Sequence, residues 1–169
     1  YFFMKVRIAT ISRPKVRLKY SDSKTLILGS FPSVKSREAA FFYGHPQNRF
    51  WAVAAAVIGC PKPETVEEKK KMILENHLAM WDVIASCEIE GSADSTIRNV
   101  TANDLSVILE NSKVERIIVN GKTAEKFYNK YTYPKTGIKA ICLPSTSPAN
   151  AAWSIEKLVE EWKTIKAEG

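Results

Sequence analysis

Two segments of the 169-residue chain concentrate side chains that could act on a bound group. The first opens with Gly29-Ser-Phe-Pro-Ser33 and resumes over residues 41–51, Phe-Phe-Tyr-Gly-His-Pro-Gln-Asn-Arg-Phe-Trp. Aromatic residues interleaved with His45, Gln47, Asn48 and Arg49 make a poor core segment, and Gly44 and Pro46 forbid a continuous helix through them. Aromatic faces beside amide side chains suit a flat heterocycle, stacked on its faces and hydrogen-bonded at its edge. The second segment, Leu143-Pro-Ser-Thr-Ser-Pro-Ala-Asn150, precedes a predicted helix. Free backbone N–H groups there, with the hydroxyls of Ser145, Thr146 and Ser147, would form an anion site suited to a phosphate. The plainer reading of this loop alone is an N-cap turn.

Other chemistries lack their residues. Gly121-Lys122-Thr123 resembles the end of a phosphate-binding P-loop, but the glycine required five residues earlier is Arg116, which argues against nucleotide hydrolysis. Gly121 reads instead as a strand-to-helix turn. No GxGxxG, GxSxG or HExxH string occurs, so dinucleotide enzymes, serine hydrolases and zincins are not first choices. Cys60, Cys87 and Cys142 are widely spaced, and His45 and His77 are the only histidines. That pattern predicts reduced thiols and no zinc or iron–sulfur centre.

The elements that must carry these loops follow an alternating pattern. Residues 25–29 form a short branched apolar run closed by Gly29, a buried strand. Residues 50–58 read as a helix stopped by Gly59, with Pro61 beyond. Thr65-Val-Glu-Glu68 matches a capping box opening a helix over 66–76. Residues 78–86 fit a strand, or a strand with a helical turn. Residues 101–104 would cap a further helix to about Asn111. Then come a strand over 115–119, a helix to about Lys130, a strand over 138–143 and a last helix over 154–166. That last helix would place Ile155, Leu158, Val159 and Trp162 on one face. Alternation of this kind predicts an α/β fold: a three-layer α/β/α sandwich around a central, mainly parallel four-stranded sheet. Ligands bind such sheets at the strand C-terminal edge, where both loops fall.

Composition bounds the rest. The chain is 45% hydrophobic and 25% charged, as expected of one folded domain rather than a disordered or fibrous chain. Its net charge of +7 is uneven: residues 1–21 hold six bases and no acid, leaving 19 bases against 18 acids elsewhere. This divides the chain into a basic N-terminal arm or hairpin, 1–21, and one α/β domain, 22–169. The arm is equally a nucleic-acid contact or a solvated hairpin. The longest apolar run, residues 50–58, is about half the length a membrane span needs. No signal-peptide pattern opens the sequence, so a cytoplasmic protein without a membrane partner is expected.

Taken together, Gly29-Ser-Phe-Pro-Ser33, His45-Pro-Gln-Asn-Arg-Phe-Trp51 and Leu143-Pro-Ser-Thr-Ser-Pro148 resemble the motifs of the uracil-DNA glycosylase superfamily. The His-Pro-x-Asn-Arg-Phe-Trp string is similar to that of mismatch-specific uracil/thymine glycosylases. Gly-Ser-Phe-Pro-Ser with Tyr-Gly-His-Pro-Gln-Asn is most similar to the hypoxanthine-DNA (deoxyinosine) glycosylase branch. The resemblance spans about residues 24–165 in motif order.

It implies a monofunctional enzyme, without cofactor or metal, that acts as a monomer on double-stranded DNA containing a deaminated base. It also implies roles. Asn48 and His45 would be catalytic. Tyr43, Phe31, Gly29, Ser30 and Gln47 would bind the extruded base. Ser33, Ser145, Thr146, Ser147, Pro148, Ala149, Asn150 and Arg49 would contact DNA, Arg49 alternatively bracing its loop. Where most of the superfamily place a water-positioning Asp or Asn, this sequence has Phe31. Besides a hypoxanthine glycosylase, the sequence therefore admits a non-catalytic lesion-binding module or a glycosylase for mismatched uracil. The alternating pattern alone would also admit a flavodoxin-like nucleotide binder.

Overall fold

A computed structural model of the chain describes residues 20–31, 41–90 and 94–166, together with the backbone of 5–8. Its centre is a four-stranded, all-parallel sheet of β2 (Thr25–Gly29), β3 (Leu78–Asp82), β6 (Arg116–Asn120) and β7 (Ile141–Leu143), in the order β3-β2-β6-β7. The run Thr-Leu-Ile-Leu-Gly is buried at every position because β2 lies inside the sheet with both faces covered. Successive side chains alternate between two cores. Ile27, Met80 and Ile118 face one, while Leu26, Leu28, Ala79, Ile117 and Val119 face the other.

Helices α1 (Phe50–Ile58), α2 (Val66–Glu75) and α6 (Ile155–Trp162) cover the first face through Phe50, Val53, Ile73, Leu158 and Trp162. Their boundaries follow local chemistry. Gly59, left-handed at φ 87°, ends α1 and donates its N–H to Ala55. Thr65 and Glu68 form the capping box that opens α2. Ser154 caps α6 by accepting the Lys157 N–H at 3.2 Å. Ile155 departs from the expected face: it is 44% exposed, and Leu158 and Trp162 carry the burial.

The second face is more elaborate than the alternating pattern implied. It is covered by α3 (Ser106–Glu110), α4 (Lys122–Phe127) and a second, antiparallel sheet, β1 (Lys5–Ile8), β4 (Ile84–Glu90) and β5 (Arg98–Ala102), in the order β1-β4-β5. The segment 78–86 is thus two strands in two sheets, broken at Val83. The start expected for a helix at Thr101 is instead strand, Thr101 pairing with Ser86. Helix α3 begins later, where Asp104 Oδ1 accepts the Ser106 N–H at 2.9 Å. Within the basic arm, residues 5–8 form a strand on β4, and the rest up to residue 19 lies outside the described residues.

After α4 the chain takes a π-helical turn, Tyr128–Thr132, then the short α5 (Tyr133–Thr136). Pro134 has no N–H for an i→i−4 bond, and the Tyr133 N–H reaches back to the Tyr128 carbonyl. The Tyr128 hydroxyl donates to the Ile138 carbonyl, and the Ile138 N–H donates to Thr136 Oγ1. Residue 138 is therefore spent outside the ladder, and β7 starts only at Ile141.

Candidate active site

The ends of the parallel strands line up in one row. Gly29 pairs with Asp82, Leu28 with Val119, and Asn120 with Leu143, so Asp82, Gly29, Asn120 and Leu143 lie across the C-terminal edge of the sheet. Asp82 and Asn120, two strand spacings apart, are about 10 Å from each other. Both chemistry-rich loops leave from this row.

Asn48 is fixed by three neighbours. Its Oδ1 accepts the Phe50 N–H at 2.9 Å, one of the donors left open at the start of α1, and the Thr146 hydroxyl at 3.0 Å. Its N–H donates to the His45 carbonyl at 2.9 Å. Thr146 is fully buried and bonded at every polar group. Its N–H donates to Asn120 Oδ1 at 3.1 Å, its hydroxyl accepts from Asn120 Nδ2 at 3.0 Å, and its carbonyl accepts the Arg49 N–H at 3.1 Å. The backbone donor at Phe50 sets which end of the Asn48 amide is oxygen. Nδ2 has no partner among the described residues.

His45 Nδ1 accepts the Gln47 N–H at 3.1 Å, which puts the proton of the neutral ring on Nε2. The Gln47 side chain is exposed. Tyr43 holds a left-handed backbone, φ 51°, uncommon for a residue with a side chain. Its ring lies 4.5 Å from that of Phe50, which in turn meets Trp162 edge-on at 5.8 Å. Tyr43 packs on the core that faces α1, whereas Phe31 packs on the opposite core. The Ser30 carbonyl accepts the Ile84 N–H at 3.0 Å, tying the loop after β2 to the start of β4.

Two glycines make room at the row. A Cβ on Gly29 would stand 2.8 Å from Asp82 Oδ1 and 3.3 Å from the Tyr43 hydroxyl. A Cβ on Gly121, whose φ is 93°, would stand 2.9 Å from Ser145 Cβ. Gly121 is the strand-to-helix turn expected, and it lets the second loop settle against β6.

That loop is closed on itself. Ser145 Oγ accepts the Ser147 N–H at 3.1 Å, Ser147 Oγ the Ala149 N–H at 3.2 Å, and the Ser147 carbonyl the Asn150 N–H at 3.0 Å. Asn150 Nδ2 donates to the Ser145 carbonyl at 3.0 Å. The N–H groups of Ser147, Ala149 and Asn150, expected to be free, are thus consumed within the loop, and that of Thr146 goes to Asn120. Thr146, expected to meet a phosphate, is instead an internal link. Ser145 and Ser147 are half-buried, and Pro148 and Ala149 are exposed. Arg49 bonds the loop rather than standing clear of it: Nη2 donates to the Ser147 and Asn150 carbonyls at 3.0 and 3.1 Å, and Nη1 to the Trp153 carbonyl. Ser33 lies outside the described residues.

The row also holds two residues that motif reading missed. Asp82 is 6% exposed, a buried carboxylate closing the apolar strand Leu-Ala-Met-Trp-Asp. Asn120 orients Thr146. Neither belongs to a local motif, and the only signal was a polar residue at the end of a buried strand.

Comparison with known proteins gives concordant results. The sequence model of the uracil DNA glycosylase superfamily matches residues 17–166. A protein of Methanosarcina acetivorans named hypoxanthine DNA glycosylase is 34% identical over 146 residues, covering 85% of this chain and 90% of that protein. A Methanosarcina barkeri protein of the same name is 27% identical over 108 residues, 63% of this chain and 68% of its own. Among solved structures, the solution NMR structure of a candidate uracil DNA glycosylase from Methanosarcina acetivorans superposes with a TM-score of 0.71 at 31% identity. It covers 86% of this chain and 92% of the other.

Proposed function

The chain belongs to the uracil DNA glycosylase superfamily, and from that membership we propose that it excises hypoxanthine from duplex DNA by hydrolysing the N-glycosidic bond, leaving an abasic site. A base inside a duplex cannot present this bond to an enzyme, so the nucleotide must leave the stack. Extrusion costs a few kcal/mol, less at a mispaired base. Stacking on Tyr43, worth roughly 1–3 kcal/mol, offsets much of that. Phe50 already covers one side of this ring, which holds it as a platform.

The observation that carries the reading is the fixed orientation of Asn48. Its oxygen is occupied by the Phe50 N–H and the Thr146 hydroxyl, so the amide offers hydrogens. As the bond breaks, negative charge grows on the departing base, and a preorganised donor stabilises that charge. Asn48 acts in this scheme on the leaving group rather than as an acceptor that orients water. His45 contributes a second donor, Nε2–H. Asp82 closes the other end of the row, beside Gly29. The hydroxyls of Ser145 and Ser147 contact flanking phosphates, and Pro148, Ala149 and Asn150 occupy the space the base vacates. No lysine nucleophile is required, and strand incision does not follow. The basic segment 1–21 adds affinity for the polyanion.

The test is incubation with duplexes carrying one hypoxanthine, uracil, xanthine or thymine, followed by hot alkali. Strand breakage at hypoxanthine supports the reading. No breakage with any base, together with tight retention of the hypoxanthine duplex, assigns a lesion-binding module instead, as the apolar Phe31 beside β2 would allow.

A further inference from the structure

We infer that Arg49 is a positioning residue that locks the 147–153 loop to Asn48, so that the loop entering the duplex and the amide facing the base move as one rigid unit. The inference rests on the reading above that residues 148–150 fill the vacated stack. Of the two roles expected for Arg49, it selects the internal brace over the phosphate contact.

Four hydrogen bonds carry it. The Arg49 guanidinium spans the carbonyls of Ser147, Asn150 and Trp153, and its backbone N–H holds the Thr146 carbonyl. The preceding residue, Asn48, holds the Thr146 hydroxyl. Two consecutive residues at the start of α1 therefore grip the second loop from 146 to 153. Three carbonyls converging on one point repel one another unless a cation lies among them. The guanidinium meets them from two nitrogens held in one plane, Nη2 to Ser147 and Asn150 and Nη1 to Trp153, an arrangement that the single nitrogen of a lysine ammonium does not reproduce. Arg49 Nε is buried without a partner among the described residues. The guanidinium is thus seated among protein groups, with three of its four Nη hydrogens already committed, and a phosphate would have to compete for them.

Arg49→Lys separates the two roles, because it keeps the charge and loses the fork. Three measurements decide. Backbone amide exchange in the free protein should speed up at least tenfold at Ser147, Ala149 and Asn150, with β2 and β6 unchanged. 2-Aminopurine placed beside an abasic analogue in a duplex should lose its fluorescence response to loop entry. Base release should fall at least thirtyfold from duplex deoxyinosine but less than threefold from the same base in a single strand, where nothing need be expelled from a stack.

Wild-type values for Arg49→Lys in all three would overturn the inference. So would an equal loss on both DNA forms, or a salt slope for Arg49→Ala binding smaller by about one than wild type, the signature of a lost phosphate contact. If Arg49→Lys does not fold, Arg49→Gln, which keeps a planar donor and loses the reach to three carbonyls, should speed exchange at Ser147, Ala149 and Asn150 in the same sense; unchanged exchange would overturn the lock. Exchange and fluorescence need no catalysis. A wild-type protein that releases no base therefore overturns the proposed function, and these two readouts still decide the brace.

Discussion

The Thr146 hydroxyl donates to Asn48 Oδ1 at 3.0 Å while accepting from Asn120 Nδ2 at the same distance. One proton chain thus joins the end of β6, the second loop and the start of α1, three segments far apart in sequence. Its effect is to fix which face of an amide a bound base would meet. Thr146→Val keeps the shape and removes the hydroxyl. Asn120 Nδ2 loses its partner while Asn48 Oδ1 keeps the Phe50 N–H; one unsatisfied amide group costs about 1–3 kcal/mol, so a urea melt should shift by an amount in that range. Base release should fall about tenfold or more, because Asn48 loses one of its two restraints. A melt that shifts while release stays at wild-type rate would show that the link is only structural.

Gly29→Ala tests the row itself. The backbone of Gly29 is ordinary for a strand, so any cost comes from the new methyl group, 2.8 Å from a buried carboxylate oxygen and 3.3 Å from the Tyr43 hydroxyl. Crowding of this kind costs about 1–3 kcal/mol. Preference for a duplex with non-cleavable deoxyinosine over one with an abasic analogue should drop at least tenfold in a titration. An unchanged preference would separate Asp82 and Tyr43 from base recognition.

Tyr43→Leu removes the stacking platform and retains an apolar side chain. The lost stacking, about 1–3 kcal/mol, corresponds to about 5- to 150-fold weaker binding of the non-cleavable deoxyinosine duplex. Tyr43→Phe keeps the ring and should stay near wild type. If both variants bind alike, the base does not rest on Tyr43.

The capping box of α2 supplies a control remote from the row. Thr65→Ala should lower stability by about 1 kcal/mol and leave base release unchanged. The N–H groups of Glu64 and Thr65 hold the Glu68 carboxyl below its ordinary range. A lowered folded-state value means the stabilisation is present above the unfolded value and disappears as pH falls through the folded one. The stability gap between wild type and Glu68→Gln should therefore be largest near neutrality and close in acid, as read by urea melts across pH.

Much of this could be read from the sequence because it depends on neighbouring residues. The Gly59 stop, the Thr65–Glu68 box and the Gly121 turn are each set within a few positions, and the burial of residues 25–29 needs only an unbroken apolar run. Asp82 and Asn120 were not legible. A single polar residue ending an apolar strand gains meaning only when strand pairing puts it beside Gly29 or Leu143, and no local spacing encodes that register. The same holds for Thr146: its hydroxyl looked like a surface donor until the fold brought Asn48 and Asn120 to either side of it. Thr101 failed for the opposite reason. Its local capping pattern was real, but pairing with Ser86 in the second sheet outweighed it.

The central claim is that Asn48 serves as a donor to the departing base, and Asn48→Asp addresses it with a change of one group. The carboxylate keeps oxygens for the Phe50 N–H and the Thr146 hydroxyl and loses the Nδ2 hydrogens. Single-turnover release of hypoxanthine from duplex deoxyinosine should then be as slow for Asn48→Asp as for Asn48→Ala. Both should fall about 100- to 1,000-fold below wild type, the usual loss for one preorganised donor, with abasic-duplex binding retained. An Asn48→Asp enzyme as fast as wild type, or faster, would mean that position 48 works by accepting a proton or orienting water, and would contradict the claim.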